Sequence, residues 1–267
     1  MIGVFDSGFG GLTILKGFLN SLPEYDYIYL GDNSRAPYGN KSQDAIYGYT
    51  RQAVDFLFKK GCMLVIIACN TASAKALRKI QREWLVKNNP AGRVLGVVVP
   101  IAEAAVEIKG GRIGVIGTRA TIESGVYEIE MSKLKKGLKI YSQSCPLLVP
   151  LVEEGWIKKA ETKMILKKYL RPLKEKRIDT LILGCTHYPF LIDSIKRIMG
   201  KNCQVLDSPQ IVAEKLKNYL ERHPEIGSKL SKNKKRIYYT TDDPQKFKQF
   251  SGKFLGENIK EVEKIEL

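Results

Sequence analysis

The sequence predicts an α/β protein: two pseudo-symmetric open parallel-sheet domains related by internal duplication, with the active site in the cleft between them. Three observations carry this expectation. Short apolar runs rich in β-branched residues alternate with amphipathic helical patterns, as in parallel sheets with helical crossovers. The second half repeats the first, since Ile113-Gly114-Val115-Ile116 stands 111 residues after Ile2-Gly3-Val4-Phe5 and Cys185 stands 116 residues after Cys69. Both cysteines directly follow continuous apolar runs, Met63 to Ala68 and Thr180 to Gly184. Such runs suit strands buried on both faces of a sheet.

Taken in order, Ile2 to Phe5 reads as a strand and Asp6-Ser7-Gly8-Phe9-Gly10-Gly11 as a tight glycine loop. A helix follows, with Leu12, Leu15, Phe18 and Leu19 on one face. Tyr27 to Leu30 is the second strand, and Asn33 to Ser42 a polar loop carrying Pro37-Tyr38-Gly39. Ile46, Ala53, Val54 and Leu57 mark the next helix; the first cysteine strand follows, then a helix carrying Leu77, Ile80 and Trp84. Val94 to Val99 reads as a fourth strand and Pro100 to Ala105 as the opening of another helix.

The pattern then restarts. Thr118 and Thr121 occupy the loop matching Asp6 to Gly11, and Ile140 to Gln143 matches the second strand. Val205 to Pro209 matches Val97 to Pro100, and Ile211 to Glu214 matches Ile101 to Ala104. Leu147 to Trp156 reads as an apolar loop with two carboxylates, a wall of the cleft. The tail adds a strand-like Arg236 to Thr241 and a helix with Phe247, Phe250 and Phe254. A helix from Ile211 is expected to return the chain to the first half. The predicted domains are therefore 1–98 plus 210–267, discontinuous, and 99–209, continuous.

No apolar run reaches the roughly 18 residues of a membrane span, and Met1 to Val4 enters a strand at once. The expectation is a cytoplasmic protein that neither crosses nor enters a membrane. Five cysteines without a C-x-x-C pair argue against a disulfide framework, a zinc ribbon and a thiol redox motif. The net charge of +16 admits nucleic-acid binding. However, the positives are spread along helices, and the one dense cluster, Lys229 to Arg236, has no interleaved aromatic stacking platform. A lysine-rich solvated surface that attracts a small anionic substrate is the favoured reading.

The glycine loop lacks the third glycine of G-x-G-x-x-G, where Thr13 stands, and the Walker lysine. Its informative residue is Asp6, an acid at the carboxyl end of a strand, where open parallel sheets hold their ligands. Cys69 and Cys185 stand at equivalent edges beside helix N-termini, which favour a thiolate. Asp6 and His187 add proton-handling groups nearby. Two ligands from Cys185 and His187 are too few for zinc, so no metal is expected. Two thiols facing one cleft could instead remove a proton from one face of a carbon and deliver one to the other. That inverts a stereocentre without a cofactor, provided fixed donors stabilise the carbanion.

At these residues the sequence resembles the glutamate racemases, within the cofactor-independent aspartate/glutamate racemase superfamily. The matching segments are Ile2 to Thr13, Gly31 to Ser42, Ala68 to Ala74, Ile113 to Thr121, Val149 to Gly155 and Leu181 to Phe190. The resemblance implies interconversion of L- and D-glutamate with no cofactor, feeding peptidoglycan synthesis. It implies that Cys69 acts on D-glutamate and Cys185 on L-glutamate, with Asp6 and His187 assisting, one on each side. Glu153 resembles a further family carboxylate near the first thiol. Asp6, Ser7, Pro37, Tyr38, Gly39, Asn70, Thr71, Thr118, Thr121, Thr186 and His187 are the implied substrate-binding residues. A homodimer is also implied. Aspartate racemases share the two-thiol design, but the Gly31 to Ser42 and Val149 to Gly155 blocks resemble the glutamate branch. A DNA-associated or gyrase-modulating role is expected to be absent or secondary.

Overall fold

The computed structural model describes residues 1–256 and 258–267. Among them, every strand pairing is parallel. The strands are β1 (Ile2–Asp6), β2 (Tyr27–Gly31), β3 (Leu64–Ile67), β4 (Arg93–Gly96), β5 (Arg112–Gly117), β6 (Lys139–Ser144), β7 (Thr180–Gly184), β8 (Gln204–Val205), β9 (Arg236–Thr240) and β10 (Glu263–Lys264). They form a six-stranded sheet ordered β10-β9-β2-β1-β3-β4 and a four-stranded sheet ordered β6-β5-β7-β8. Without its two tail strands, the first sheet has the same strand order as the second. The registers agree as well: Phe5 pairs with Ile67, and Ile116 pairs with Leu183. Cys69 and Cys185 therefore each stand two residues beyond equivalent rungs.

This order places the site. In each sheet the chain leaves the central strand, β1 or β5, to one side and then crosses to the other. Connections diverge there, and ligand crevices open beyond the carboxyl ends of the flanking strands. Cys69 follows β3 at one such reversal, and Cys185 follows β7 at the other.

Every residue of β1, β2 and β7 is buried, which explains why these runs are continuously apolar and do not alternate. Tyr27 and Tyr29 are tolerated in β2 because their hydroxyls donate to the carbonyls of Leu22 and Gly8. The helix Leu12–Ser21 buries Leu12, Ile14, Leu15 and Phe18. It meets the returning helix Ser208–Arg222 so closely that a Cβ on Gly17 would lie 2.6 Å from the Pro209 carbonyl oxygen. No helix is long and apolar enough to cross a membrane among the described residues.

Three segments differ from expectation. β4 ends at Gly96, and a helix already begins at Val98, running to Glu107 with Pro100 in its first turn. First-turn N–H groups have no helical partner, so a proline costs nothing there. The apolar stretch after Cys145 forms the helix Leu148–Glu153, where an open loop was expected. Cys69 leads directly into the helix Asn70–Lys75, whereas Cys185 is followed by a 3-10 turn, Tyr188–Leu191, with Pro189 in it. The tail strand β9 adds beside β2 and leads into the helix Pro244–Leu255.

Candidate active site

Cys69 is buried at the N-terminus of its helix, with its sulfur 3.3 Å from the Ser7 hydroxyl. Burial and then the negative charge of Asp6 push this thiol up to about 12, outweighing the Ser7 hydroxyl and the Ala72 N–H. The helix N-terminus was expected to favour a thiolate here, but desolvation wins and Cys69 rests as a thiol at neutral pH. Asp6 lies behind it, fully buried, accepting from the Gly8 N–H at 3.0 Å and the Thr186 hydroxyl at 3.4 Å. Burial raises Asp6 above the usual carboxylate range, against the opposing pull of the His187 charge.

On the second side, Cys185 Sγ lies 3.9 Å from His187 Nδ1, and His187 Nε2 lies 3.0 Å from Glu153 Oε1. Burial alone would lower the imidazole. Its hydrogen bonds to Cys185 and Glu153, with their charges, prevail and hold it up at about 10. His187 is therefore an imidazolium at neutral pH, clamped between a sulfur and a carboxylate.

Both thiols line one cavity of about 200 Å³. That is below the roughly 300–1,000 Å³ of drug-sized ligand sites and suits a molecule of amino-acid size. Its wall is tied together across the two halves of the chain. The hydroxyls of Thr71, Thr118 and Thr121 form a triangle with sides of 2.9, 3.1 and 3.0 Å. Asn70 Oδ1 accepts from the Tyr127 hydroxyl at 2.7 Å, which leaves its amide hydrogens for a ligand. Thr13 donates to the Thr186 carbonyl at 3.0 Å. The glycine loop exists for contact of this kind: a Cβ on Gly10 would run into the Thr186 hydroxyl and the His187 ring.

The Asp/Glu/Hydantoin racemase family model matches residues 13–216. The chain belongs to that family. It is similar to the glutamate racemase of Sulfurihydrogenibium sp. (strain YO3AOP1), with 43% identity over 100% of this chain and 97% of the relative. It is similar also to the glutamate racemase of Aquifex aeolicus (strain VF5), with 41% identity over 97% and 95%. Among solved structures it resembles glutamate racemase isoform RacE1 from Bacillus anthracis, with a TM-score of 0.91 and 36% identity over 100% and 97% of the two chains. The Francisella tularensis glutamate racemase, solved in complex with D-glutamate, gives a TM-score of 0.89 and 35% identity over 99% and 97%.

In this racemase, Ser7, Pro37, Tyr38, Gly39, Cys69, Asn70, Thr71, Thr118, Glu153, Cys185, Thr186 and His187 all line the cavity. Asp6 and Thr121 do not line it; they stand one layer behind and hold Thr186, Thr71 and Thr118. Glu153, expected near the first thiol, shares the cavity with both thiols. It closes a helix of the second half beside the 3-10 turn, so its carboxylate reaches His187.

Sequence reasoning passed over other parts of the racemase cavity. Asn33, Ala36, Gly8 and Phe9 lie inside motifs already singled out, whereas Asp242 and Lys246 come from the tail. It also passed over Asp32, fully buried beyond β2 as Asp6 is at the end of β1. Asp32 accepts from the Tyr38 hydroxyl, from Arg35 Nε at 2.7 Å and from the Thr241 hydroxyl at 2.9 Å. It thereby joins the Pro37-Tyr38-Gly39 wall to the tail. The signal that marked Asp6, an acid at a strand's carboxyl end, would have found it.

Proposed function

We propose that this racemase interconverts L- and D-glutamate by two-base proton transfer between Cys69 and Cys185, with no cofactor. The observation that carries the reading is that the two thiols line one small cavity in unlike electrostatic settings. Cys69 rests protonated, and the His187 imidazolium stabilises negative charge on the Cys185 sulfur. In the L-to-D direction, Cys185 takes the α-proton and Cys69 delivers its own to the opposite face. The thiols then hold the reverse protonation, which is the state D-glutamate requires. The side chains of Asn70, Thr71 and Thr118 supply neutral donors for the α-carboxylate, where carbanion charge accumulates, and Thr186, whose hydroxyl donates to Asp6, offers its backbone N–H. Asp6, through Thr186, and Glu153, through His187, act as positioning groups.

The same reading covers a cytoplasmic homodimer that supplies D-glutamate for peptidoglycan, with nucleic-acid or gyrase association at most secondary. It assigns residues 1–98 plus 210–267 to one domain and 99–209 to the other. The full-length similarity to glutamate racemases supports the substrate assignment. Incubation of the purified enzyme with L-glutamate in D₂O, without pyridoxal phosphate, tests it. Deuterium should enter at Cα as the solution moves to an equal mixture of enantiomers. Cys69→Ala and Cys185→Ala should each stop racemisation, and near-normal racemisation by either variant would sink the two-thiol mechanism.

A further inference from the structure

Among the described residues lining the cavity, Lys246 is the only lysine or arginine. It is exposed at the mouth, in the first turn of the helix Pro244–Leu255. It forms no ion pair among the described residues, although Asp242 stands four positions before it on the same rim. The other charged groups of the wall are His187 and Glu153, already bonded to each other, and Asp242.

The helix that carries Lys246 is firmly seated. Phe247, the next residue, is fully buried against Phe9 and Tyr29, with ring centroids 5.6 and 5.9 Å apart. Phe254 packs on His187 and Phe190 at 5.6 and 4.6 Å. Ahead of the helix, Thr241 donates to Asp32. A lysine on such a base keeps its ammonium near the mouth at a modest entropic cost.

Substrate charge shows what this ammonium is for, on the reading that the substrate is glutamate. Glutamate carries two carboxylates and one ammonium. With Cα between the sulfurs, the α-carboxylate meets the neutral donors of Asn70, Thr71 and Thr118 and the backbone N–H of Thr186. The side-chain carboxylate is then the charge those donors leave without a cation. We infer that Lys246 is a specificity-determining residue: it draws the substrate's side-chain carboxylate to the mouth and favours dicarboxylic amino acids over neutral ones. Asp242 opposes it and tempers the attraction, so that product can leave. An exposed cation at a cleft mouth acts mainly on capture, so its effect falls on kcat/KM and is screened by salt.

The test is steady-state racemisation of L- and D-glutamate at low and at roughly physiological ionic strength, the range over which exposed charges become screened. Wild type, Lys246→Gln, Lys246→Arg and Asp242→Asn are compared. Lys246→Gln should lower kcat/KM about three- to tenfold through KM, and its salt dependence should flatten. Lys246→Arg should restore most of the loss, and Asp242→Asn should raise kcat/KM. Inhibition by glutamine, relative to glutamate, should strengthen in Lys246→Gln. If Lys246→Gln keeps the wild-type kcat/KM and salt slope, the inference is overturned while the proposed reaction stands. If the wild type racemises no glutamate, the proposed reaction and this inference fall together. Melting temperatures show whether each variant is folded, which an exposed helical position should allow.

Discussion

The His187 imidazole is held from both ends, with Nε2 3.0 Å from Glu153 Oε1 and Nδ1 3.9 Å from Cys185 Sγ. Burial works against its charge, and the two partners overcome that to hold it at about 10. Glu153→Gln removes one of them, so the imidazole should titrate at lower pH. The alkaline limb of kcat/KM for L-glutamate should move down by about one unit or more, the size of effect expected for losing a close opposite charge. The sign for stability follows from linkage. A pKa raised on folding contributes fully below the unfolded value near 6.5 and is lost as pH rises through about 10. Thermal denaturation should show the variant's deficit holding level until pH approaches the variant's own lowered imidazole pKa, then shrinking as pH rises through about 10. A constant deficit would mean that Glu153 acts by packing alone.

Ser7 holds the other thiol. Its hydroxyl, 3.3 Å from Cys69 Sγ, opposes the burial and the Asp6 charge that push this thiol up to about 12. Ser7→Ala should push it higher still and slow the step in which Cys69 is the base. A fall in kcat/KM of about tenfold is expected for one hydrogen bond to a developing charge, roughly 1.5 kcal/mol. Enantiomers are equal in energy, so kcat/KM must fall alike in both directions. The asymmetric readout is isotopic: the effect of α-deuteration should grow for D-glutamate and not for L-glutamate. Equal growth for both would contradict the assignment of Cys69 to the D enantiomer.

Gly10 is where the loop after β1 passes against the opposite half of the site. An added Cβ would collide with the Thr186 hydroxyl and with the His187 ring, one at the cavity wall and the other clamped by Glu153. Gly10→Ala should cost about 1–3 kcal/mol of stability, the usual range for overpacking. It should cost activity far beyond that, at least about a hundredfold, because misplacing a catalytic group by about 1 Å is that severe. Gly48, by contrast, has open space around its Cβ position, and Gly48→Ala is the matched control. Comparable losses in both variants would show that close approach at Gly10 is not the cause.

These positions show what could be read from the sequence. The two half-sheets were legible because strands buried on both faces leave continuous apolar runs, and because the same four-strand order is written twice. Cys69, Cys185 and His187 were legible because strand ends adjoin them in sequence. Asp242 and Lys246 were not. They reach the cavity only because β9 docks beside β2, a pairing of segments some two hundred residues apart that leaves no local pattern. Glu153 was found, but its bond to His187 was not, since that partner depends on where the helix Leu148–Glu153 turns. The helix start at Val98 was hidden by Val97-Val98-Val99, a β-branched run whose tertiary position overrides its propensity.

The tail also contributes Phe254, which is almost fully buried and set edge-to-face on His187 at 5.6 Å and 85°. The same ring meets Phe190 of the second half at 4.6 Å and Phe9 of the first at 6.4 Å. Phe254 is thus a contact of the tail helix with both halves and with the imidazolium itself. Phe254→Ala should destabilise the protein by about 3–5 kcal/mol, the range for emptying a buried aromatic site. Phe254→Leu, which keeps much of the volume, should cost less and fold well enough for kinetics. With the ring gone, His187 has only its two polar partners to orient it. Racemisation by Phe254→Leu should therefore fall about tenfold in kcat, with a smaller change in KM. Thermal melts and rate measurements on that variant separate the two roles. Full kcat in a protein that melts earlier would make Phe254 a packing residue only, whereas reduced kcat below the melting range would show that the tail positions the imidazole.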